Sequence, residues 1–357
     1  MATVVEDKLS AFPIESSVGI PCQPVSRLLR DAGLVEVEAW TPVHEGGNNR
    51  VYCGQSAGEK LLLKLYFHKV GDQRDRLRGE RCFYALAESA GLTAVPKALG
   101  WDLENRMGLF TFLKGRKLDA GSVTADHIRQ AANLVVRINN SLDECPPPGD
   151  FPTASEACFS FAAHLATIDN RVSRLQNAAI RDDVDRDAVA WIRSELAPCW
   201  DRIRREAAMR AAEAGSDLDA ALPLSQRWIS PSDFGFHNAL ADSEGCLRFF
   251  DFEYAGWDDP AKLVADFFCQ PSVAVSLGWW EVLEKQLADC HRWTSETGQR
   301  ARLLLPAYQI KWCCIMLNEF LPTEAQRRDF SNIGSGDRRA AQLHKARAAL
   351  QQVGAPS

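Results

Sequence analysis

The chain has 357 residues, of which 46% are hydrophobic and 25% are charged, so it can bury a large core and global disorder is excluded. Its length fits two packed lobes better than one small core. The formal net charge of -6 argues against bulk attraction to nucleic acid or to an anionic membrane, and it mildly favours a neutral or cationic substrate.

The cysteines and the start of the chain indicate the compartment. Eleven cysteines are present, but the number is odd and no Cys-x-x-Cys pair occurs, so reduced thiols explain them better than a disulfide scaffold. No basic segment followed by an apolar run opens the sequence, and no stretch of about eighteen apolar residues follows. We therefore expect a soluble cytoplasmic protein.

The first third of the chain combines strand and helix patterns. Residues 1–36 carry three prolines and one short amphipathic stretch, which predicts an N-terminal extension packed on a lobe. A dense apolar run at 61–67 and another at 107–112 predict strands. Between them, residues 72–90 place Leu77, Tyr84 and Ala87 on one side of a predicted helix.

Long helical patterns dominate after about residue 124. They cover 125–139, 156–176 and 185–214 and resume from Trp279. A short strand at 227–229 and a hairpin at 238–252 interrupt them. The predicted domains are an extension at 1–36, a nucleotide-binding sheet lobe at 37–113, a helical lobe at 114–348 with the catalytic loop and acceptor site, and a frayed tail at 349–357.

The segment from Ser230 to Glu253 carries the chemistry. Asn238 follows Asp233 by five residues, and Asp251 follows thirteen residues later. In phosphoryl transfer one carboxylate accepts the proton of the attacking hydroxyl while an amide and a second carboxylate hold Mg²⁺ against the phosphates of ATP. Asp233 and Asn238 could each be ordinary turn residues, but Asp251 lies in an aromatic run predicted as a strand, where a carboxylate needs a hydrogen bond, a cation or a metal. This pattern predicts a kinase.

A glycine-rich turn precedes the first strongly apolar strand. It consists of Gly46, Gly47, Asn48 and Asn49. Glycine lets a backbone approach phosphate oxygens closely, and asparagine tolerates the left-handed conformations of a tight turn. The same residues also suit an ordinary hairpin connection.

Lys64 lies at the centre of the 61–67 run and shares a strand face with Leu62 and Tyr66. At an edge its ammonium would lie in water, whereas a buried ammonium needs a carboxylate. Glu80, in the following helix, can supply it, and the pair could reach the phosphates of a nucleotide. Neither a Gly-x-Ser-x-Gly motif nor a P-loop is present, and His237 is assigned to packing or hydrogen bonding.

Together these motifs resemble the aminoglycoside phosphotransferase and choline kinase family over roughly residues 40–320. The most specific segments are Ser232–Asn238 and Phe250–Gly256. The resemblance implies an α+β, bilobal protein-kinase-like fold with a small N-terminal lobe, containing an antiparallel sheet and one helix, and a larger, mostly helical C-terminal lobe.

The resemblance also implies roles for individual residues. Asp233 would be the catalytic base, Asn238 and Asp251 the magnesium ligands, and Lys64 held by Glu80 the phosphate contact. A hinge that meets adenine would consist of Thr111, Phe112 and Leu113, and Asp266 would brace the catalytic loop. Pro231 departs from the family, which commonly has a histidine there, and this puts the geometry of the loop in doubt.

The expected function is transfer of the γ-phosphate of Mg-ATP to a hydroxyl of a small molecule, such as an amino sugar, a choline-like alcohol or another sugar, without a nucleic-acid or membrane partner. A kinase of protein side chains and an inactive nucleotide-binding module remain alternatives. Nearby tryptophans and acids could contact a cationic acceptor or belong to the core and to solvated helix faces. They are Trp257, Asp258, Asp259, Trp279, Trp280, Glu281, Glu284, Trp293 and Trp312.

Overall fold

The computed structural model describes residues 20–35, 37, 39–43, 49–68, 74–322 and 338–354. The chain divides into two compact units. The sheet unit contains the described residues within Met1–Leu118 together with Phe236–Tyr254. The helical unit contains Asp119–Gly235 and the described residues within Ala255–Gln326 and Ser335–Ser357. Phe236–Tyr254 thus belongs to the sheet unit by its contacts, and the predicted lobe boundaries stay a prediction.

Five antiparallel strands form the sheet, in the order β1-β2-β3-β5-β4. Their bounds are Trp40–Val43 (β1), Arg50–Ser56 (β2), Glu59–Leu65 (β3), Ala98–Asp102 (β4) and Met107–Thr111 (β5). Two helices belong to this unit, Cys22–Asp31 (α1) and Arg76–Ser89 (α2). Most of the amphipathic stretch noted in the sequence, residues 25–32, lies in α1, while residues 1–19 of the predicted extension lie outside the described part of the chain.

Alternation along β3 separates the two faces of the sheet. Leu61, Leu63 and Leu65 are buried in one core cluster with Val25 and Leu28 of α1. Lys64 and Tyr66 point to the opposite face, because successive strand side chains alternate. On that face, the aromatic side chains of Tyr84, Trp101, Phe110 and Phe252 pack together. The sequence therefore places a lysine on a buried, largely aromatic face.

A two-stranded ribbon completes the sheet unit, with strands Ala239–Ala241 (β7) and Leu247–Phe249 (β8). The turn between them ends at Gly245, whose φ of +83° suits glycine. Arg116 and Ala241 exchange two backbone hydrogen bonds of 2.9 Å, so the chain that leaves β5 is joined to this ribbon. The predicted hairpin is confirmed.

The helical unit contains the remaining helices of the described chain and a short antiparallel pair of strands. The strands are Trp228–Ser230 (β6) and Gly256–Asp258 (β9). The helices are Ala125–Asn140 (α3), Phe161–Gln176 (α4), Asp183–Trp191 (α5), Ala197–Glu213 (α6), Pro260–Cys269 (α7), Trp280–Leu287 (α8), Ser295–Met316 (α9) and Arg339–Leu350 (α10). None of the described helices is long and apolar enough to cross a membrane.

Two helix boundaries differ from the sequence prediction for local reasons. The helix predicted from residue 156 begins at Phe161, because the Ser160 hydroxyl accepts a hydrogen bond from the Ala163 amide and caps its first turn. The helix predicted over 185–214 is interrupted by a π-helical turn at Ile192–Leu196. Pro198 follows this turn and lacks the N–H that a continuous α-helix would use.

Gly256 lies where β9 crosses the segment that precedes α4. Trp257 donates a backbone hydrogen bond of 2.9 Å to Pro152, and Ala154 donates one of 3.0 Å to Trp257. A Cβ atom at position 256 would overlap the backbone of Thr153 and Ala154, whereas one at Gly149 would meet nothing within 4 Å. Only glycine permits this crossing.

We therefore expect Gly256→Ala to lower the free energy of unfolding by about 1–3 kcal/mol, because the overlap involves backbone that cannot move aside. Gly149→Ala, the matched control, should stay within about 0.5 kcal/mol of the unchanged protein. Urea denaturation followed by circular dichroism measures both. Equal midpoints for the two variants would contradict the close approach.

Candidate active site

Lys64 is buried among three carboxylates in the sheet unit. Its Nζ atom donates to Glu80 Oε2 at 2.6 Å and to Asp251 Oδ1 at 2.6 Å, and it lies 3.7 Å from Glu253 Oε2. Glu80 comes from α2, and the other two acids follow β8. The pairing predicted between Lys64 and Glu80 is confirmed, and the ammonium holds the Asp251 side chain as well.

Electrostatics keep this lysine charged. Burial alone would lower the pKa of Lys64, but the carboxylates of Asp251, Glu80 and Glu253 outweigh that effect and raise the pKa well above its ordinary value. Glu80 also accepts hydrogen bonds from the Tyr66 hydroxyl at 2.7 Å and from the Phe252 amide at 3.1 Å. These bonds fix the carboxylate that orients the ammonium.

Asp251 lies outside the strand in which the sequence places it. β8 ends at Phe249, and Asp251 follows with a φ of +69°, in the left-handed region that aspartate tolerates better than most residues. About 35% of its side chain remains exposed. The expected burial of this carboxylate is therefore wrong: one oxygen contacts Lys64 and part of the side chain stays accessible.

Asn238 lies at the same end of the ribbon as Asp251. The Phe250 amide donates to the Asn238 carbonyl at 3.0 Å, which extends the β7–β8 pairing by one position and brings residue 238 beside residue 251. Both side chains offer hard oxygen ligands of the kind that Mg²⁺ prefers.

The charges around Lys64 also suit a cation. The carboxylates of Glu80, Asp251 and Glu253 lie around the Lys64 ammonium, and Glu253 also lies near Arg76. No group of three or more His, Cys, Asp or Glu in the described ranges is arranged to hold a metal by itself. Magnesium in nucleotide sites needs only one or two protein carboxylates, because phosphates and water complete its shell. The residues at 238 and 251 therefore fit magnesium.

Of the predicted glycine-rich turn, only Asn49 belongs to the described residues. Gly46, Gly47 and Asn48 lie outside them. The Asn49 side chain is buried, accepts a hydrogen bond from the Phe67 amide at 3.0 Å and donates one to Glu253.

The predicted hinge follows β5. Thr111 ends this strand, and its hydroxyl accepts a hydrogen bond from the Lys97 amide at 2.9 Å. The Phe112 amide donates to the Lys60 carbonyl at 3.3 Å, and Leu113 comes after the last strand residue. These residues therefore lie at the carboxyl end of β5, an interior strand of the sheet, and their contact with adenine stays a prediction.

Asp233 belongs to the helical unit, in the loop after β6. Ser232, directly before it, has a φ of +67°, and its amide donates to the buried Ser230 hydroxyl at 3.0 Å. Phe234, directly after it, stacks on Phe267 of α7. The backbone at Asp233 therefore lies between two residues whose positions are fixed by contacts.

Two residues that the sequence analysis did not single out support this loop. Asn139 of α3 accepts a hydrogen bond from the Ile229 amide at 2.8 Å and donates one to the Ile229 carbonyl at 3.1 Å. Ser230 supplies the hydroxyl that receives the Ser232 amide. The signal in the sequence is an asparagine at the end of an otherwise apolar helix face. These contacts support the loop that has Pro231 in place of the family histidine.

Asp266 is buried in α7 and forms hydrogen bonds with α9. Its carboxylate accepts hydrogen bonds from Lys311 Nζ at 2.9 Å and from the Trp312 indole nitrogen at 2.8 Å, both on α9. These bonds connect α7 to α9. That Asp266 also braces the catalytic loop stays a prediction.

The acids considered for a cationic acceptor are mostly neutralised within the helical unit. Asp258 forms an ion pair with Lys262, and Asp259 accepts two hydrogen bonds from Arg300 at 2.6 and 2.9 Å. Both aspartates are buried. Glu284 forms an ion pair with Arg302. These three side chains therefore stabilise the fold.

The tryptophans of the same region also make packing contacts. Trp280 stacks on Phe268 at 5.0 Å between ring centroids, and the Arg302 guanidinium lies 4.9 Å from the centroid of the same indole. Trp293 meets Trp228 edge to face. The structure thus favours the core interpretation for these rings over an open aromatic cage.

The sheet unit thus combines an antiparallel sheet, a packed helix and a buried lysine–glutamate pair, and Asn238 and Asp251 lie at one end of its ribbon. A sequence profile described as "Phosphotransferase enzyme family" matches residues 39–269, more than half of the chain. The chain therefore belongs to this family of phosphotransferases. The predicted family and fold class are confirmed.

Solved structures agree on the fold. The choline kinase LicA from Streptococcus pneumoniae is similar with a TM-score of 0.52 and 15% identity, over 92% of this chain and 98% of that one. A spectinomycin phosphotransferase in complex with ADP and spectinomycin gives 0.57 and 10%, over 91% and 98%. An ethanolamine kinase from Plasmodium vivax gives 0.56 and 15%, over 97% and 90%. No curated protein matches the sequence significantly.

The helical unit contains one buried histidine whose charge depends on its partners. His164 Nδ1 lies 2.6 Å from the Tyr308 hydroxyl, and Nε2 lies 3.2 Å from Asp259 Oδ2. Burial alone would lower the pKa of His164, but hydrogen bonds with Asp259 and Cys158 raise it to about 9. The imidazolium is therefore the form that the folded protein prefers at neutral pH.

This raised pKa gives the protein a pH-dependent stability. The unfolded histidine has a pKa near 6.5, so the contribution of His164 is fully present below that pH and is lost as pH rises through about 9. A shift of this size corresponds to about 3 kcal/mol. His164→Gln should therefore cost most near pH 6 and progressively less up to pH 9.5 in urea denaturation. The exposed His344→Gln is the control, and a penalty for His164→Gln that is independent of pH would contradict the assignment.

Proposed function

We propose that this phosphotransferase moves the γ-phosphate of Mg-ATP to a hydroxyl of a small molecule. The observation that carries the proposal is the buried Lys64 ammonium, which Glu80 orients from α2 and which contacts Asp251 at 2.6 Å. A fixed cation beside a partly exposed carboxylate suits the phosphates and the metal of a nucleotide.

Each residue has a distinct part in this proposal. Lys64 contacts the phosphates and offsets charge as the γ-phosphoryl group leaves. Asn238 and Asp251 hold magnesium, which when bound would neutralise the phosphate oxygens. Asp233 orients the acceptor hydroxyl and takes its proton.

Two further contacts with the nucleotide belong to this proposal. Adenine contacts Thr111, Phe112 and Leu113, and the turn from Gly46 to Asn49 covers the phosphates.

We propose an amino sugar, a choline-like alcohol or another sugar as the acceptor. Support comes from relatives of the same fold, which are named as choline, ethanolamine and spectinomycin kinases or phosphotransferases. The eleven free thiols are in keeping with a cytoplasmic location.

Two isosteric substitutions test these roles. Asp233→Asn should lower turnover by at least about a hundredfold, because the proton acceptor is lost, and should leave Mg-ADP binding unchanged. Asp251→Asn should weaken ADP binding in the presence of Mg²⁺ while hardly changing the weak binding without it, since the variant loses a metal ligand. Calorimetry measures binding, and ADP release over a panel of amino alcohols, aminoglycosides and sugars measures turnover.

The exposed Asp219→Asn is the matched control and should behave as the unchanged protein. Full turnover by Asp233→Asn would remove this residue from the mechanism, and an unchanged magnesium dependence in Asp251→Asn would contradict the metal site. Tight Mg-ADP binding with no turnover on any acceptor would favour a nucleotide-binding module or a protein kinase.

A further inference from the structure

Glu253 is a buried carboxylate whose role the proposed mechanism leaves open. It follows Asp251 by two residues, and its side chain is 0% exposed. Its Oε2 atom accepts a hydrogen bond from the Asn49 amide and lies 3.7 Å from Lys64 Nζ, while its Oε1 atom lies 3.8 Å from Arg76 Nε. A carboxylate this deep is costly unless several partners compensate it.

The partners of Glu253 come from three different segments of the sheet unit. Asn49 immediately precedes β2, Lys64 belongs to β3, and Arg76 is the first residue of α2, the helix that carries Glu80. One carboxylate therefore contacts the strand start, the lysine and the helix that together form the candidate phosphate side. Arg76 is itself 1% exposed and lies between the rings of Phe67 and Tyr254.

Asn49 is suited to this contact by its chemistry. Its Oδ1 atom accepts from the Phe67 amide at 3.0 Å, while its Nδ2 atom donates to Glu253. An amide alone offers both an acceptor and a donor at this length. Aspartate would place a second carboxylate against Glu253, and serine would be too short to reach both partners.

A metal-ligand role for Glu253 does not fit these contacts. Both of its oxygens face protein cations or the Asn49 amide, and its side chain is closed to solvent. Asp251, by contrast, keeps about a third of its side chain exposed. The Asp251 side chain is therefore accessible to a ligand, whereas the Glu253 side chain is not.

We propose that Glu253 is a positioning residue for nucleotide binding. Through Asn49 it fixes the residue that immediately precedes β2, and through Lys64 and Arg76 it fixes that residue relative to β3 and α2. The inference rests on the proposed function, because it assigns the phosphate side of the nucleotide to this part of the sheet unit.

An exchange of the two side-chain types tests the contact. Glu253→Gln and Asn49→Asp should each raise the Kd for Mg-ADP by roughly tenfold, because each removes the matched donor and acceptor. The double variant N49D/E253Q restores the pair with the donor and acceptor reversed, at the same total charge. Its Kd should therefore lie nearer the unchanged protein than either single variant, and calorimetry measures all four proteins.

Glu244→Gln, on the exposed turn of the same ribbon, is the control and should bind normally. Urea denaturation at the calorimetry temperature verifies that each variant is folded, since a purely structural role would change stability and leave affinity intact. If Asn49→Asp does not fold, Asn49→Ser removes the amide without adding charge and should still weaken binding.

These experiments distinguish failure of the positioning role from failure of the proposed function. An unchanged protein that binds no Mg-ADP would overturn both. Normal binding by the unchanged protein together with normal binding by folded Glu253→Gln would overturn the positioning role alone. Single-variant effects that simply add in N49D/E253Q, without recovery, would equally overturn it.

Discussion

The candidate site depends on one buried ammonium. Lys64 lies on an aromatic face of the sheet, where an isolated charge would lose several kcal/mol of hydration, so the fold must supply carboxylates. Glu80 reaches it from α2, and Asp251 and Glu253 reach it from the segment after β8. These contacts join a strand, a helix and a ribbon that lie far apart in the sequence. The requirement to compensate one charge therefore contributes to where Asp251, a proposed metal ligand, lies.

Buried charges in the helical unit are compensated in the same way, but there the ion pairs stabilise the fold. Asp258, Asp259 and Asp266 are buried and paired with Lys262, Arg300 and Lys311. Their partners hold α7 against neighbouring elements, and none of these acids stays accessible in the way that Asp251 does. Burial and partners, more than residue type, distinguish an acid that can act on a ligand from an acid that stabilises the fold.

Much of the sheet unit could be predicted from the sequence, because alternation in 61–67 places Lys64 on a defined face and a carboxylate in the next helix is its natural partner. The left-handed conformation of Asp251 could not, since an aromatic run alone predicts a strand that continues. The contact between Asn49 and Glu253 spans 204 positions and leaves no local pattern. The ion pair of Asp259 with Arg300, which lies 41 positions away, leaves no local pattern either.

The central claim is that the carboxylates around Lys64 keep its ammonium protonated inside the sheet unit. An NMR titration of ¹⁵N-labelled lysine side chains, with the Lys64 signal identified by its absence in Lys64→Arg, tests it most directly. The signal should keep its ammonium shift when exposed lysines lose their protons near a pH of about 10.4. A Lys64 signal that titrates with the exposed lysines, or below them, would contradict the account.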